Sequence, residues 1–372
     1  MLGLDRRAFL IAMAACCAAS RSSSNSVETI NLGAIRWDSW YRKAGESVYA
    51  QNNLNKSEFI ARAPKHCEIS NLNIYCEGSV AVIEQEIKSA YDAGLKFWAF
   101  DWFPKGSSFR SAWDLYQISP MKKLIDWCPI VNLSEIGSAN RSSREIEAKC
   151  SRWAELMVDS TFFKVSIELK KRPLLFIYYR QEEMEKYHGE IGALKSNLGM
   201  LRRMCSNLSV NDPYIVIFDP MLRKSLVNAI GADAVSNYIS DFRKIEHGNF
   251  AQLNEQVVNY WVKMQKSGAQ FIPISQMGWD TRPRKRGLAP WESDKPKSAN
   301  EANYYYDIAT PEEFAHQIKQ AINFIKEYSS LCPSKTILAY SWNECDEGGC
   351  MLPTIGDKGG SYLKEISKLK NL

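Results

Sequence analysis

Short apolar runs alternate with amphipathic stretches along most of the chain. The runs are continuous and rich in β-branched and aromatic residues, which is typical of strands buried on both faces of a parallel sheet. Amphipathic stretches between them have helical spacing, and several end at glycine, a common helix stop. We therefore predict eight strands at residues 30–37, 96–102, 127–133, 173–179, 214–219, 234–239, 270–276 and 336–342.

Each predicted strand is followed by a helix or a long loop. This order predicts the α/β class and a single (β/α)8 TIM barrel over residues 29–372. The first strand lacks the G-x-G-x-x-G motif, which argues against a dinucleotide-binding fold. Helices are predicted at residues 80–93, 143–158, 254–266 and 360–369, and at 314–328 with Thr310 as N-cap and Pro311 at the first helical position.

The N-terminal segment 1–25 is interpreted as an export signal followed by a polar tether. Arg6-Arg7 precedes a short apolar run, as in twin-arginine signals, and the run is too short to span a bilayer. Met13-Ala14-Ala15-Cys16 resembles a lipoprotein motif, with Cys16 as the lipid anchor. A plain secretory signal is the third interpretation. The expected location is the periplasm, the cell surface or the medium.

Composition and charge exclude several classes of protein. The 372 residues are 45% hydrophobic and 24% charged, which is ordinary globular usage and argues against disorder or a coiled coil. A net charge of +5 is too small and too diffuse for a dedicated nucleic-acid binder. We therefore expect no nucleic-acid partner. The oligomeric state is left open.

Export would permit disulfides. Cys67 and Cys76 bracket a loop-like stretch that a bridge could close, and Cys345 and Cys350 do the same. Cys128 and Cys205 lie beside apolar segments, which indicates buried thiols. No C-x2-C pair or H-E-x-x-H motif is present, and the histidines lie far apart in the sequence. We expect neither a metal site nor a cofactor.

Catalytic groups of such barrels project from the carboxyl ends of the strands and the loops that follow. Polar and aromatic residues crowd these predicted ends. This combination suits a sugar, because its hydroxyls need hydrogen bonds while its C–H faces pack on flat rings. The candidate substrate-binding residues are Trp37, Asp101, Trp102, Asn132, Tyr179, Trp279, Asp280, Arg282, Trp342 and Asn343.

The strongest local motif is Trp342-Asn343-Glu344-Cys345-Asp346-Glu347-Gly348-Gly349. Its two glutamates would point to one side of a helical turn but to opposite faces of a strand. The glycine pair permits tight turning, so both carboxyls could face the rim. Two carboxyls in one pocket can divide into an acid and a base, as glycoside cleavage requires. The alternative is a solvated acidic turn.

Several segments together resemble glycoside hydrolase family 99-like (WbsX-type) proteins. The motif above, followed by Leu352-Pro353-Thr354, is similar to the family's W-N-E-x-x-E-G-x…P signature. Further similar segments, in chain order, are Arg172-Pro173-Leu174-Leu175-Phe176-Ile177-Tyr178-Tyr179, Met277-Gly278-Trp279-Asp280-Thr281-Arg282-Pro283-Arg284 and Ala309-Thr310-Pro311-Glu312-Glu313-Phe314. The resemblance implies a (β/α)8 barrel that acts on an oligosaccharide or polysaccharide.

The resemblance also implies catalytic roles. The first glutamate of E-x-x-E is the family's base and the second its acid, so Glu344 would be the base and Glu347 the acid. The base is thought to help the sugar's own 2-hydroxyl attack the anomeric carbon, which gives retention. An exported glycoside hydrolase is thus our first hypothesis. A non-catalytic glycan-binding lipoprotein and a polysaccharide lyase acting on a uronate-containing glycan are the alternatives.

Two features near Trp279 have two interpretations each. Asp280 could hold a sugar hydroxyl or orient an acid, or it could cap the turn that follows Trp279. The basic loop of Arg282, Arg284, Lys285 and Arg286 is typical of a solvated face, although an anionic glycan would exploit bidentate arginine contacts there.

Overall fold

Eight parallel strands form the centre of the fold, as the hydrophobic pattern predicts. The computed structural model describes residues 29–41, 49–240, 245–286 and 304–370. Within this part of the chain, residues 31–370 belong to one compact unit. The barrel strands are β1 Asn31–Arg36, β2 Phe97–Asp101, β3 Asp126–Asn132, β4 Lys170–Tyr178, β5 Tyr214–Phe218, β6 Ala234–Ser236, β7 Ile274–Gln276 and β8 Thr336–Tyr340.

The strands follow chain order around the sheet, and β8 pairs in parallel with β1. Asn31 lies opposite Thr336 in that register, and Gly33 lies opposite Phe97 of β2. Between β6 and the residues before β7, Val235 N donates to Gln270 O at 2.9 Å. Ile272 N donates back to Val235 O at 3.1 Å. The result is a near-closed barrel of eight parallel strands, which confirms the predicted fold class.

A helix follows each barrel strand. The helices are α1 Val80–Ala93, α2 Ser111–Ile118, α3 Ser143–Met157, α4 Ile191–Asn207, α5 Lys224–Ile230, α6 Phe250–Ser267, α7 Pro311–Glu327 and α8 Ser361–Ser367. Two additional short helices, Tyr49–Leu54 and Gln181–Tyr187, precede α1 and α4. Helix α7 begins where its sequence predicts, because Thr310 and Glu313 form a capping box. Helix α6 begins four residues before its predicted start, because Asn249 and Gln252 form another.

Both cysteine pairs that bracket short loops form disulfides. Cys67–Cys76 closes the hairpin of Glu68–Ser70 and Asn73–Tyr75, and Cys345–Cys350 closes the turn after β8. Cys128 and Cys205 are free and buried, as predicted. No helix in the described ranges is both long and apolar enough to cross a bilayer. The predicted export signal and Cys16 lie outside these residues.

The barrel core depends on close approaches between strands. A Cβ atom on Gly33 would lie 2.1 Å from the ring of Phe97, so glycine is needed for that ring to cross β1. Phe97 in turn stacks on Phe163, with ring centroids 4.1 Å apart. Trp98 on the same strand is fully buried and contacts Trp342, which follows β8. These contacts fix the ends of β1, β2 and β8 relative to one another.

Candidate active site

A cavity of about 310 Å³ opens at the carboxyl ends of the barrel strands. Its size is at the lower end of the range for small-molecule sites. The wall combines aromatic rings with carboxyl, hydroxyl and guanidinium groups. The lining residues are Trp37, Asp101, Trp102, Phe103, Ile130, Asn132, Tyr178, Arg180, Tyr238, Trp279, Arg284, Glu344 and Glu347.

The turn after β8 brings both glutamates to this cavity. Cys345–Glu347 form one turn of 3-10 helix, which has three residues per turn, so Glu344 and Glu347 lie on the same side. Gly348 then reverses the chain with φ +78°, a conformation that favours glycine. A Cβ atom on Gly349 would lie 2.4 Å from the ring of Tyr340. The glycine pair thus serves both the turn and the position of the tyrosine.

Tyr340, the last residue of β8, joins the two carboxyls. Its hydroxyl lies 3.3 Å from Glu344 Oε2 and is hydrogen-bonded to Glu347 Oε2. Because both oxygens contact one hydroxyl, two bonds of about 3 Å limit their separation to about 6 Å. Both side chains are buried, with 3% of Glu344 and 7% of Glu347 exposed. The two carboxyls are therefore close enough to act on one substrate bond.

A second tyrosine links Glu344 to a third carboxyl. The Tyr238 hydroxyl is hydrogen-bonded to Glu344 Oε1 and lies 3.2 Å from Asp101 Oδ2. Burial, and then the nearby charge of Glu347, raise the pKa of Glu344 well above its usual range. Burial also raises the pKa of Asp101 to about 7. These shifts favour the protonated form of Glu344 at neutral pH.

Arg284 provides a positive charge beside the carboxyls of Glu344 and Glu347. Its guanidinium is hydrogen-bonded to Glu347 and lies 3.7 Å from Glu344 Oε2. Asp346 holds it through Nε at 2.8 Å and Nη2 at 3.3 Å. Arg284 is only 6% exposed, so the prediction of a solvated basic loop is wrong for this residue. The turn that carries the glutamates therefore also fixes the arginine.

The structure brings seven of the predicted site residues to one cavity, from loops and strands far apart in the chain. Trp37 follows β1, Asp101 ends β2 and Asn132 ends β3. This arrangement agrees with the search along strand ends, because the carboxyl ends of parallel strands meet at one edge of the barrel. The seven are Trp37, Asp101, Trp102, Asn132, Trp279, Glu344 and Glu347.

Trp342 and Asn343 are placed in the core instead, which corrects their prediction as substrate contacts. Trp342 is fully buried, and its Nε1 donates to Glu86 at 2.9 Å. Asn343 donates to Asp38 at 2.9 Å and accepts from the backbone N of Trp37 at 3.1 Å. These bonds join the end of β8 to α1 and to the residues that follow β1.

Asp280, Arg282 and Tyr179 also lie away from the cavity wall, contrary to prediction. Asp280 is 1% exposed and pairs with Arg62 at 2.5 Å and Arg282 at 2.7 Å. Burial alone would raise the pKa of Asp280, but these two arginines hold it below its usual value. Arg282 also lies 3.7 Å from the ring centroid of Tyr305.

Tyr179 follows β4, and its hydroxyl donates to Gln181 at 2.9 Å. This side chain is therefore directed toward the following helix.

Four important site residues were missed by the sequence prediction. Tyr178 and Tyr238 lie at predicted strand ends, and so the same search could have included them. Tyr340 lies inside the predicted strand 336–342, and the search along strand ends did not include it. Arg284 belongs to the predicted basic loop and to a segment that resembles the family, but its burial could not be predicted, because it depends on Asp346, far away in the sequence.

Comparison of this structure with solved structures supports the fold assignment. A glycoside hydrolase-like protein has a TM-score of 0.60 and 15% identity, covering 91% of this chain and 94% of the other. The GH99 endo-alpha-mannosidase from Bacteroides thetaiotaomicron, in complex with bis-tris-propane, has a TM-score of 0.54 and 15% identity. That comparison covers 87% of each chain.

At this identity the likeness shows the fold. The resemblance to family 99-like barrels is therefore confirmed as a resemblance of architecture over nearly the whole chain. No protein-family model matches the sequence, and no curated protein matches it.

Proposed function

We propose that this chain is a glycoside hydrolase that cleaves an oligosaccharide or polysaccharide, with Glu344 and Glu347 as its acid–base pair. One observation carries the proposal: two buried carboxyls share the Tyr340 hydroxyl on the wall of a cavity at the carboxyl end of the barrel. Glycoside cleavage needs one carboxyl to give a proton and another to take one or to attack. The fold shared with glycoside hydrolases supports the same reaction class.

The rest of the wall supports a sugar as the ligand. Trp279 is partly exposed and offers a ring on which the C–H groups of a pyranose can pack, while Trp37 and Trp102 lie on the same wall and are 2% and 8% exposed. Asn132 and Asp101 offer polar atoms to hydroxyls, and Asp101 Oδ1 is buried without a hydrogen-bond partner among the described residues. A buried carboxylate oxygen of this kind is stabilised when a ligand hydroxyl donates to it.

The carboxyl separation bears on stereochemistry. Retaining enzymes have their carboxyls about 5–5.5 Å apart, and inverting enzymes about 6.5–9.5 Å apart. The limit of about 6 Å set by the shared hydroxyl favours retention. The exposed Arg180 on the cavity wall would suit an anionic substituent, so the substrate panel includes uronate-containing glycans.

The test is a screen of purified protein against neutral and acidic polysaccharides, with product chromatography. Cleavage that is lost in Glu344→Gln and Glu347→Gln is the expected result. Glycan binding without cleavage, unaffected by either substitution, would support the binding-protein alternative. Products that absorb in the ultraviolet because of a new double bond would indicate a lyase. Either outcome would overturn the hydrolase proposal.

We also propose that the chain is exported. The disulfides Cys67–Cys76 and Cys345–Cys350 support this, because such bonds persist in oxidising compartments. Fusion of residues 1–30 to a reporter that is active only outside the cytoplasm should give an active reporter.

Two substitutions test the route and the anchor. Replacing Arg6 and Arg7 by lysine should abolish reporter activity if the twin-arginine route is used. Cys16→Ser should release the reporter from membranes if the chain is lipidated. A reporter that stays inactive would contradict export.

A further inference from the structure

One tyrosine hydroxyl lies between two carboxyls of the cavity wall. The Tyr238 hydroxyl is hydrogen-bonded to Glu344 Oε1 and lies 3.2 Å from Asp101 Oδ2. A tyrosine hydroxyl has one hydrogen to donate, and its oxygen can also accept. Burial raises the pKa of Tyr238 well above its usual range, so the hydroxyl keeps that hydrogen. Only one carboxyl can receive it, and the other must donate to the tyrosine oxygen if both contacts are hydrogen bonds.

Asp101 is poorly placed to carry a negative charge. Tyr238 is its one hydrogen-bond partner within the described ranges, and Asp101 Oδ1 is buried with no partner there. Arg180 and Arg284 line the same cavity, yet the charge that acts most on Asp101 is that of another acid, Asp38. A buried carboxylate with one donor and no paired cation is unfavourable.

The other titratable groups around Asp101 supply no cation either. Asp38, which follows β1, is itself paired with Arg36 at 2.9 Å. Tyr178, the last residue of β4, has a pKa raised well above its usual range by burial and then by the charge of Asp101. Burial in these surroundings raises the pKa of Asp101 to about 7. Its carboxyl is therefore mostly protonated below that pH.

Glu344 is better provided with partners. Its Oε1 contacts Tyr238, and its Oε2 lies 3.3 Å from the Tyr340 hydroxyl and 3.7 Å from Arg284. Arg284 and the Tyr238 hydrogen bond both lower the pKa of Glu344, against the larger effect of burial. A proton on Glu344 can lie on Oε2, toward Tyr340. Its Oε1 can therefore accept from Tyr238 in either protonation state.

We infer that Asp101 is a positioning residue: it keeps its proton, donates it in a hydrogen bond to the Tyr238 oxygen, and so directs the Tyr238 hydrogen to Glu344. This inference rests on the proposed function, in which Glu344 is one member of the acid–base pair. A hydroxyl that donates to Glu344 stabilises its carboxylate, which agrees with the role of base that the family resemblance implies. When Asp101 loses its proton, the Tyr238 hydroxyl turns to the new carboxylate and Glu344 loses a donor.

The first measurement needs no substrate. Protein labelled with 13C at the aspartate and glutamate side-chain carboxyls is titrated by NMR, and Asp101→Asn and Glu344→Gln assign the two resonances. We expect Asp101 to titrate with a midpoint of about 7, and the Glu344 resonance to shift over the same pH range. Tyr238→Phe should weaken that shift at Glu344, because the hydroxyl that links the carboxyls is gone.

Two results of the titration would overturn the inference, even if the protein cleaves glycans. One is a midpoint for Asp101 of about 4, the ordinary value for an aspartate, since the carboxyl would then be ionised at neutral pH. The other is a shift at Glu344 that Tyr238→Phe leaves unchanged, since charge alone would then couple the two carboxyls.

Turnover on the substrate found by the screen separates positioning from a merely structural role. Asparagine at position 101 offers an amide N–H to the Tyr238 oxygen and does not titrate, whereas leucine has a similar size and offers no donor. At pH 6, kcat of Asp101→Asn should exceed that of Asp101→Leu about tenfold, the effect of one hydrogen bond. Wild-type kcat should fall by up to about tenfold between pH 6 and pH 8 as Asp101 ionises, and Asp101→Asn should lack this fall. Equal kcat values for the two variants at pH 6, or the same fall in Asp101→Asn, would contradict the role of Asp101.

The matched control is Asp92→Asn, which removes an exposed aspartate of α1 that pairs with Lys88. It should leave the titration of Glu344 and the pH profile of turnover unchanged. If Asp101→Leu does not fold, the wild-type titration and the pH profile of Asp101→Asn decide the question. A screen in which no glycan is cleaved would count against the proposed function, whereas the NMR titration would still decide whether Asp101 holds the proton.

Discussion

Two buried groups of ionisable side chains lie at the carboxyl ends of the strands, and they differ in how their charges are matched. The first, here named the core cluster, consists of Arg36, Asp38, Tyr41 and Glu86. The second, here named the cavity cluster, consists of Asp101, Tyr238, Arg284, Tyr340, Glu344, Asp346 and Glu347.

The core cluster is closely paired. Arg36 is hydrogen-bonded to Asp38 at 2.9 Å and to Glu86 at 2.6 Å. Tyr41 and Trp342 also donate to Glu86, at 2.8 and 2.9 Å. Burial would raise the pKa of Glu86, but the charges of Arg36 and His66 and these donors hold it below its usual value. The cluster joins β1, α1 and the end of β8 without facing the cavity.

The cavity cluster has more acids than cations. One guanidinium, that of Arg284, serves Asp346 and Glu347 and approaches Glu344, while Asp101 has a tyrosine hydroxyl as its neighbour. Burial raises the pKa of both Glu344 and Asp101, and the nearby Arg284 lowers that of Glu344 only in part. This imbalance is unfavourable for folding, and perturbed carboxyls in a cavity are typical of catalytic sites. A buried carboxyl therefore has a lowered pKa where cations and hydrogen-bond donors surround it, as at Glu86, and a raised pKa where they are few, as at Asp101.

The largest predicted effect lies in the cavity cluster. Glu347→Gln should lower turnover on the substrate found by the screen about 10²- to 10⁴-fold, because the acid–base pair loses one member. The thermal midpoint should change little, since Arg284 remains paired with Asp346. Steady-state kinetics and a thermal melt measure the two quantities.

The matched control is Glu312→Gln, which removes an exposed glutamate from the first turn of α7. It should leave turnover unchanged. Full activity in Glu347→Gln would remove Glu347 from the mechanism, whereas loss of both activity and folding would place it with the core cluster.

A large effect on stability is expected in the core cluster. Arg36→Met keeps the length of the side chain but leaves Asp38 and Glu86 without their cation. We expect the free energy of unfolding to fall by about 3–5 kcal/mol, as for other broken buried pairs. Urea denaturation measures the change. Lys88→Met, which breaks an ion pair with Asp92 in which both side chains are more than half exposed, should cost only about 0–1 kcal/mol. Equal costs for the two variants would show that the core cluster is not a stabilising one.

The strands and the loops that form the cavity could be predicted from the sequence. The continuous apolar runs predicted all eight barrel strands, because strands buried on both faces need such runs wherever they lie in the sheet. Strand ends then located Trp37, Asp101 and Asn132 on the cavity wall. These features depend on local composition and on the geometry common to parallel barrels.

Long-range pairing could not be predicted in this way. Trp342 and Asn343 follow β8 directly, yet Glu86 and Asp38 hold them in the core. Arg284 lies in a basic stretch that is typical of a surface, yet Asp346, more than sixty residues later, accounts for its burial. Strand ends therefore predict which loops meet, but partners from other loops decide which side chains face the cavity.

The pH dependence of stability should have opposite signs at Asp101 and at Glu86, although burial also raises the pKa of Asp38 in the core cluster, and Asp101→Asn tests the smaller effect. The pKa of Asp101 is raised to about 7 in the folded protein, so the folded state holds a proton that the unfolded chain releases near pH 4. This carboxyl therefore stabilises the fold fully below about pH 4, and the contribution is lost as the pH rises to about 7. Asparagine does not titrate, and the variant should gain up to about 4 kcal/mol over wild type at pH 8, relative to their difference at pH 4. The pKa of Glu344 is also raised, so the Asp101→Asn variant should keep a weaker dependence of stability on pH.

Glu86→Gln should flatten the plot of stability against pH on the acid side instead, because a carboxyl with a lowered pKa gives stability that is lost as the pH falls. Urea midpoints between about pH 2 and pH 8 measure both slopes, because the change at Glu86 lies below about pH 4 and the change at Asp101 lies above it. If the Asp101 and Glu86 variants changed the same side of the curve, the division into a matched and an unmatched cluster would be wrong.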